Sequence, residues 1–231
     1  MKKMLYKRLV LFLTLFFLTF TLYGFNFESY GIRGGVMYIR NTHEDSAPSP
    51  VLPFIGANVG FSFGRFSFIE PAVEPSITFT RSEHFWAEDL QMALPAEIEY
   101  ADAIRFLNIV LDCPLIIKFT LKENIALGVF AGPAIIIRVP LKAWGEGDSH
   151  RADMLSYFYG ERFFYAEVGV LFDWVYSPRH SFKARLDALL PVDQLAIRAS
   201  VTFSFMTKSA QQRRAALAQA STTIDTDTTQ E

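Results

Sequence analysis

The chain has 231 residues, with 22 Lys and Arg against 24 Asp and Glu, a formal charge of -2, and a single cysteine, Cys113. Near-balanced charge argues against nucleic acid as a partner, and one cysteine excludes an intramolecular disulfide. Hydrophobic residues make up 51% of the chain. Beyond residue 24, however, Gly, Pro or a charge interrupts each apolar run before it reaches helical membrane-spanning length, so a membrane crossing here calls for strands.

In chain order the first element is a leader. Met1, Lys2, Lys3, Lys7 and Arg8 form a basic region ahead of the apolar run Leu9 to Leu22, and Gly24 offers a small residue for cleavage. This reads as a signal peptide over residues 1–24, followed by a β-barrel domain over residues 25–206 and a polar tail over residues 207–231. The tail is rich in Gln, Ala, Ser, Thr and Asp, reads as disordered and periplasmic, and has a potential short helix at Gln211 to Ala220.

Period-two alternation then predicts strands near Tyr30 to Arg40, Leu52 to Phe63, Phe66 to Arg81, Ile104 to Leu121, Ile125 to Val139, Arg162 to Tyr176, Phe182 to Leu190, and Leu195 to Phe205. The last is the clearest, with Leu195, Ile197, Ala199, Val201, Phe203 and Phe205 alternating with Arg198, Ser200, Thr202 and Ser204. The fold class that follows is all-β: an eight-stranded antiparallel up-and-down transmembrane β-barrel, apolar outside and polar inside. The connections near Gly64-Arg65, Lys122 to Asn124, Ser177 to Ser181 and Pro191 to Gln194 are short. Asn41 to Val51, Ser82 to Ala103 and Pro140 to Glu161 read as long loops. Short periplasmic turns opposite long outer loops are the pattern of outer-membrane barrels, which places both termini in the periplasm and the protein in a bacterial outer membrane.

In the fourth strand Leu107, Ile109, Leu111, Cys113, Leu115, Ile117 and Phe119 form the lipid face. Phe61, Phe63, Phe119, Trp174, Tyr176, Phe203 and Phe205 are expected to form an aromatic girdle at the periplasmic end. Glu70 and Glu74 share the parity of Phe66, so a bulge near Ile69 to Pro71 is expected, and Pro71, Pro75, Pro114 and Pro133 are awkward inside a closed ladder. The inferred lumen-facing charges are Arg33, Lys118, Arg138, Lys183, Arg185 and Arg198 against Glu70, Glu74, Asp112, Glu167, Asp173 and Asp187. An eight-stranded barrel is filled by its own side chains, so these charges must pair or hold water.

The stretch Leu111 to Phe119, with Pro114, Leu115, Ile116, Ile117 and Lys118, followed by Gly128 to Ile136, with Phe130, Ala131, Gly132 and Pro133, resembles the PorT-like family of bacterial outer-membrane β-barrel proteins. The resemblance covers about thirty residues and implies the barrel fold, with no catalytic residues to carry over. Such barrels usually end on an aromatic residue that the barrel assembly machinery reads, whereas here Phe205 is followed by the tail.

The function expected is non-catalytic: a structural or surface-interaction protein with a salt-bridged interior, surrounded by outer-membrane lipid, monomeric, with the long loops open to a surface ligand. A narrow, porin-like conduit for small or apolar solutes, lined by Arg33, Glu74, Asp112, Lys118, Glu167 and Arg198, is the alternative. A loop-based enzyme built on His43, Asp45 and Ser46, or on His150, Ser149 and Asp148, is a third reading, weakened because a working triad converges from separate segments. His43, His84, His150 and His180 with Glu44, Asp45, Glu83 and Asp148 lack the spacing of a zinc motif. Neither a metal nor any other cofactor is expected. Trp86, Trp144, Tyr157, Phe158 and Tyr159 either cap the barrel mouth or offer an apolar contact surface.

Overall fold

In a computed structural model the described residues are 26–40, 50–64, 68–96, 103–143, 150–190 and 195–212. The predicted leader, the tail beyond residue 212 and the tips of several connections lie outside them. Strands β1 (Asn26–Ile39), β2 (Val51–Ser62), β3 (Ile69–Val73), β4 (Ser76–Ala87), β5 (Met92–Ala96), β6 (Ile104–Asp112), β7 (Leu115–Lys122), β8 (Ile125–Ala143), β9 (Phe164–Ser177), β10 (His180–Leu190) and β11 (Ala196–Met206) pair antiparallel throughout. β3 with β4, and β6 with β7, each make one stave, so the ring has eight staves and closes where β1 meets β11. β5 lies outside the ring as a hairpin partner of the end of β4.

The two broken staves are neighbours, interrupted at Glu74-Pro75 and Cys113-Pro114. Proline has no N–H to donate, so the ladder opens there, but its carbonyl still accepts: Glu74 N donates to Pro114 O at 3.3 Å and Cys113 N to Pro133 O at 3.2 Å. Gly132 lets this crossing close up, since a Cβ there would stand 2.5 Å from Pro114 Cα. Parity survives both breaks, which is why each half keeps its inner face.

Several expectations need correction. The bulge expected at Ile69 to Pro71 is absent: β3 pairs with β7 without a shift from Ile69 to Val73. The face changes earlier, at Phe68, which sits in the turn and stacks on outward-facing Phe119. A bulge appears instead between Phe27 and Ser29, which turns Glu28 and Ser29 both inward. Phe63 is buried rather than part of a girdle. The belt at the short-turn end is made by Phe61, Phe27, Tyr30, Phe205, His180, Tyr176 and Trp174, in ring contact pair by pair.

Two of the long loops are folded. Ser82 to Ala103 contains the end of β4 and the hairpin to β5, whose turn uses Gln91 at φ 51°. Pro140 to Glu161 continues β8 to Ala143 and holds helix α1 (Arg151–Glu161). The outer wall carries the exposed apolar residues that a bilayer requires, among them Ile32, Val36, Ile55, Val129, Val170, Leu186, Val201 and Phe203.

Candidate functional site

The period-two strands aim their polar side chains into a space too narrow to leave them solvated, and the interior sorts into layers from the short-turn end to the long-loop end. The first layer surrounds Lys118, which lies 3.4 Å from Glu28, 3.7 Å from Glu70 and 3.1 Å from Asp173. These groups line a mouth cavity of about 100 Å³. Past Met206, residues 208–212 form a helical turn that reaches this mouth: Thr207 N donates to Glu28 O at 2.9 Å, and buried Ala210 lines the cavity.

In the second layer Glu74 pairs with Lys183, accepts from Asn58 Nδ2 at 2.6 Å and lies 3.5 Å from Arg185. Arg185 stacks over Phe130, 4.7 Å from the ring centre, beside the apolar wall of Ala72, Ile116 and Leu171. Among the described residues its guanidinium nitrogens have no hydrogen-bond acceptor, nor have the hydroxyls of Ser181, Thr202 and Ser204 a partner.

The third layer is the densest. Arg198 is 1% exposed and reaches Asp187 at 2.5 Å, Glu167 at 2.5 Å and Asp112 at 3.1 Å. Arg33, fully buried, adds Asp187 at 3.0 Å and Asp112 at 3.5 Å, and donates to Ser200 Oγ at 3.0 Å. Ser76 donates to Asp112 at 2.6 Å. Gly56, the cross-strand neighbour of Arg33, lets β4 close onto β2, since a Cβ there would stand 2.0 Å from Ile77 O.

Above these ions the wall turns apolar. Met37, Phe54, Val110, Ala134, Ile136, Tyr165, Leu189 and Ala196, all buried, form a collar across the lumen. Beyond it Arg138 is buried with no carboxylate partner among the described residues. Its guanidinium lies 4.2 Å from the Phe158 ring centre, donates to Tyr165 Oη at 3.0 Å and to Arg162 O at 2.8 Å. The Phe158 contact links the barrel to a lid in which Met154, Tyr157 and Phe158 of α1 pack on Ala93, Ile104 and Phe106, with Trp86 at the side. Burial pushes the Tyr157 phenol above its ordinary range, with Arg162 acting against that shift.

The twelve charges assigned to the lumen from sequence are thus placed as follows: Arg33, Asp112, Glu167, Asp187 and Arg198 in one cluster, Glu74, Lys183 and Arg185 in a second, Glu70, Lys118 and Asp173 at the mouth, and Arg138 alone above the collar. Glu28 was missed because the first strand was begun at Tyr30. His84, which falls in the segment Ser82 to Ala103 expected to be a long loop, is buried under the lid with its ring 5.0 Å from Phe158 and its Nδ1 3.3 Å from Ser82 Oγ. The lid helix had a signal, the spacing of Met154, Tyr157 and Phe158 on one face.

His150 sits 3.2 Å from Glu88 and 3.7 Å from Asp153, tying the start of α1 to the β4–β5 turn. His43, Glu44, Asp45, Ser46, Trp144, Asp148 and Ser149 lie outside the described residues. Among the described residues no three His, Cys, Asp or Glu side chains stand in metal-holding geometry.

No protein-family model and no curated protein matches the chain. Solved structures do resemble it. The attachment invasion locus protein Ail of Yersinia pestis is 10% identical with a TM-score of 0.47, covering 79% of this chain and 99% of its own. Neisserial surface protein A is 11% identical with a TM-score of 0.47, covering 80% and 99%. An outer membrane channel from Pseudomonas putida F1 is 6% identical with a TM-score of 0.33, covering 79% and 96%. The architecture itself, an eight-stave closed antiparallel barrel, stands on the pairing described above.

Proposed function

We propose that this chain is a non-catalytic, non-conducting outer-membrane barrel that presents its long-loop end, the β4–β5 hairpin and α1, as a surface for contact outside the cell. The observation that carries the reading is the sealing of the lumen at three successive levels: the Arg33 and Arg198 ion cluster, the Met37 to Ala196 collar, and the α1 lid. An ion entering from the short-turn end meets side chains already tied into ion pairs, and then an apolar constriction that disfavours water. Among the described residues, the inner-wall charges are drawn into ion pairs rather than arranged as nucleophile, base and oxyanion donors. Within outer-membrane barrels, the hairpin from Leu111 to Ile136 supports the narrower PorT-like reading.

Conduction and orientation are tested separately. Planar-bilayer recording should give silence at high protein load, and steady conductance that changes on Lys118→Gln or Glu167→Gln would overturn the sealed reading. An epitope inserted between Asp89 and Leu90 should be readable on intact cells, and one beside Arg179 only after permeabilisation. The opposite pattern would reverse the assignment of the two ends.

A further inference from the structure

The lipid-facing wall is free of charge over most of its circumference. Outward positions of β2 are Val51, Pro53, Ile55, Ala57, Val59 and Phe61, and those of β8, β9, β10 and β11 are equally apolar, from Leu127 to Leu141, Phe164 to Tyr176, Phe182 to Leu190 and Ile197 to Phe205. Apart from Arg40 just past the end of β1, the charged side chains at outward positions among the described residues between the aromatic belt and the long-loop end include one cluster: Arg81 and Glu83 on β4, with Arg105 beside them on β6. Arg105 holds Glu83 in a fork, Nε at 2.8 Å and an Nη at 2.7 Å from the same carboxylate oxygen. Glu83 is thereby neutralised and covered, its side chain 6% exposed.

Arg81 reaches that oxygen only at 3.5 Å and is 52% exposed. Its cross-strand partner on β6 is Leu107, and Phe79 and Ile77 continue below it toward the middle of the wall. Among the described side chains, Arg105 holds the Glu83 carboxylate closely and Arg81 only loosely, so the exposed Arg81 guanidinium stands at the top of an apolar stripe.

A lone cation on a lipid wall is costly near the midplane and nearly free at the interface, where it can reach lipid phosphates. Guanidinium binds phosphate through paired N–H donors, and the apolar stripe beneath it matches acyl chains hanging from the same headgroup. We infer that Arg81, braced by the Arg105–Glu83 pair, is a docking point for the phosphate of an anionic lipid whose chains lie along Ile77, Phe79 and Leu107. This site is on the outside of the barrel and does not depend on whether the lumen is sealed.

The test uses purified full-length protein reconstituted in vesicles of phosphatidylcholine with one tenth phosphatidic acid, with co-purifying lipid counted by native mass spectrometry after gentle extraction. The wild type should retain phosphatidic acid over its share in the bilayer by about fivefold, the scale of one surface arginine on an anionic membrane. Arg81→Gln, which leaves the Arg105–Glu83 pair intact, should bring that ratio to unity, and Arg81→Lys should keep part of it. Heat-modifiable gel migration checks that each variant is folded. An Arg81→Gln ratio equal to the wild type would overturn the site. So would a ratio abolished by millimolar inorganic phosphate, the mark of an anion site without lipid, or a ratio of unity in the wild type with a second copy covering Arg81. Because the vesicles carry the same lipid on both leaflets, the outcome is independent of which end faces the cell exterior.

Discussion

Arg198 and Arg138 are both buried inside the same barrel, yet one is held by three carboxylates and the other by two aromatic rings, a backbone carbonyl and a phenol. Below the collar the interior is fastened by charge, and each partner removed leaves other charges stranded where solvent cannot reach them. Above the collar it is fastened by ring faces, and the guanidinium there has no acid to strand. The same residue type therefore marks a rigid middle at one height and a separable cap at the other.

Predictions follow that difference from large to small. Replacing Arg198 with Met should be the most destructive, about 3–5 kcal/mol, because Asp112 and Asp187 are left to share Arg33 while Glu167 loses its ion pair. Urea unfolding of the detergent-solubilised barrel measures it, and a loss below about 1 kcal/mol would remove the contrast between the two levels. Arg138→Gln should cost about 1–2 kcal/mol, the scale of one buried cation–π contact with a hydrogen bond. A loss equal to that of Arg198→Met would mean the cap is as essential as the middle.

Phe158→Ala should free α1 locally: amide exchange over residues 151–161 rises while β1, β10 and β11 keep their protection. Loss of protection in those strands would show lid and barrel to be one cooperative unit. Arg81→Gln should change unfolding by less than about 0.5 kcal/mol, since its pair with Glu83 is long and exposed.

How far the sequence carries can be seen residue by residue. Alternation in Leu195 to Phe205 was enough to assign that strand two faces, and its recurrence in eight segments gave the number of staves, because a strand with lipid on one side and side chains on the other tolerates no slip. Pro75 and Pro114 left no trace in that pattern, since parity continues across both. The β4–β5 hairpin escaped because its turn relies on Gln91 in the left-handed region, without the glycine that usually signals one. For the interior, the chemistry of each side chain was legible but its partner was not. Arg33 meets Asp187 across 154 positions of chain, and which acid it finds depends on strand tilt and stagger around the ring.

The ring closes where β1 meets β11, in unbroken register from Ser29 opposite Met206 to Ile39 opposite Ala196. Arg33 comes from the first stave and Arg198 from the last, and both converge on acids carried by staves in between. During assembly the acids of β6, β9 and β10 therefore wait for cations that arrive from the two ends of the domain. A closure one residue out of step would turn an arginine out into the bilayer and leave carboxylates alone inside. The ion cluster is therefore complete only when the correct edges have joined.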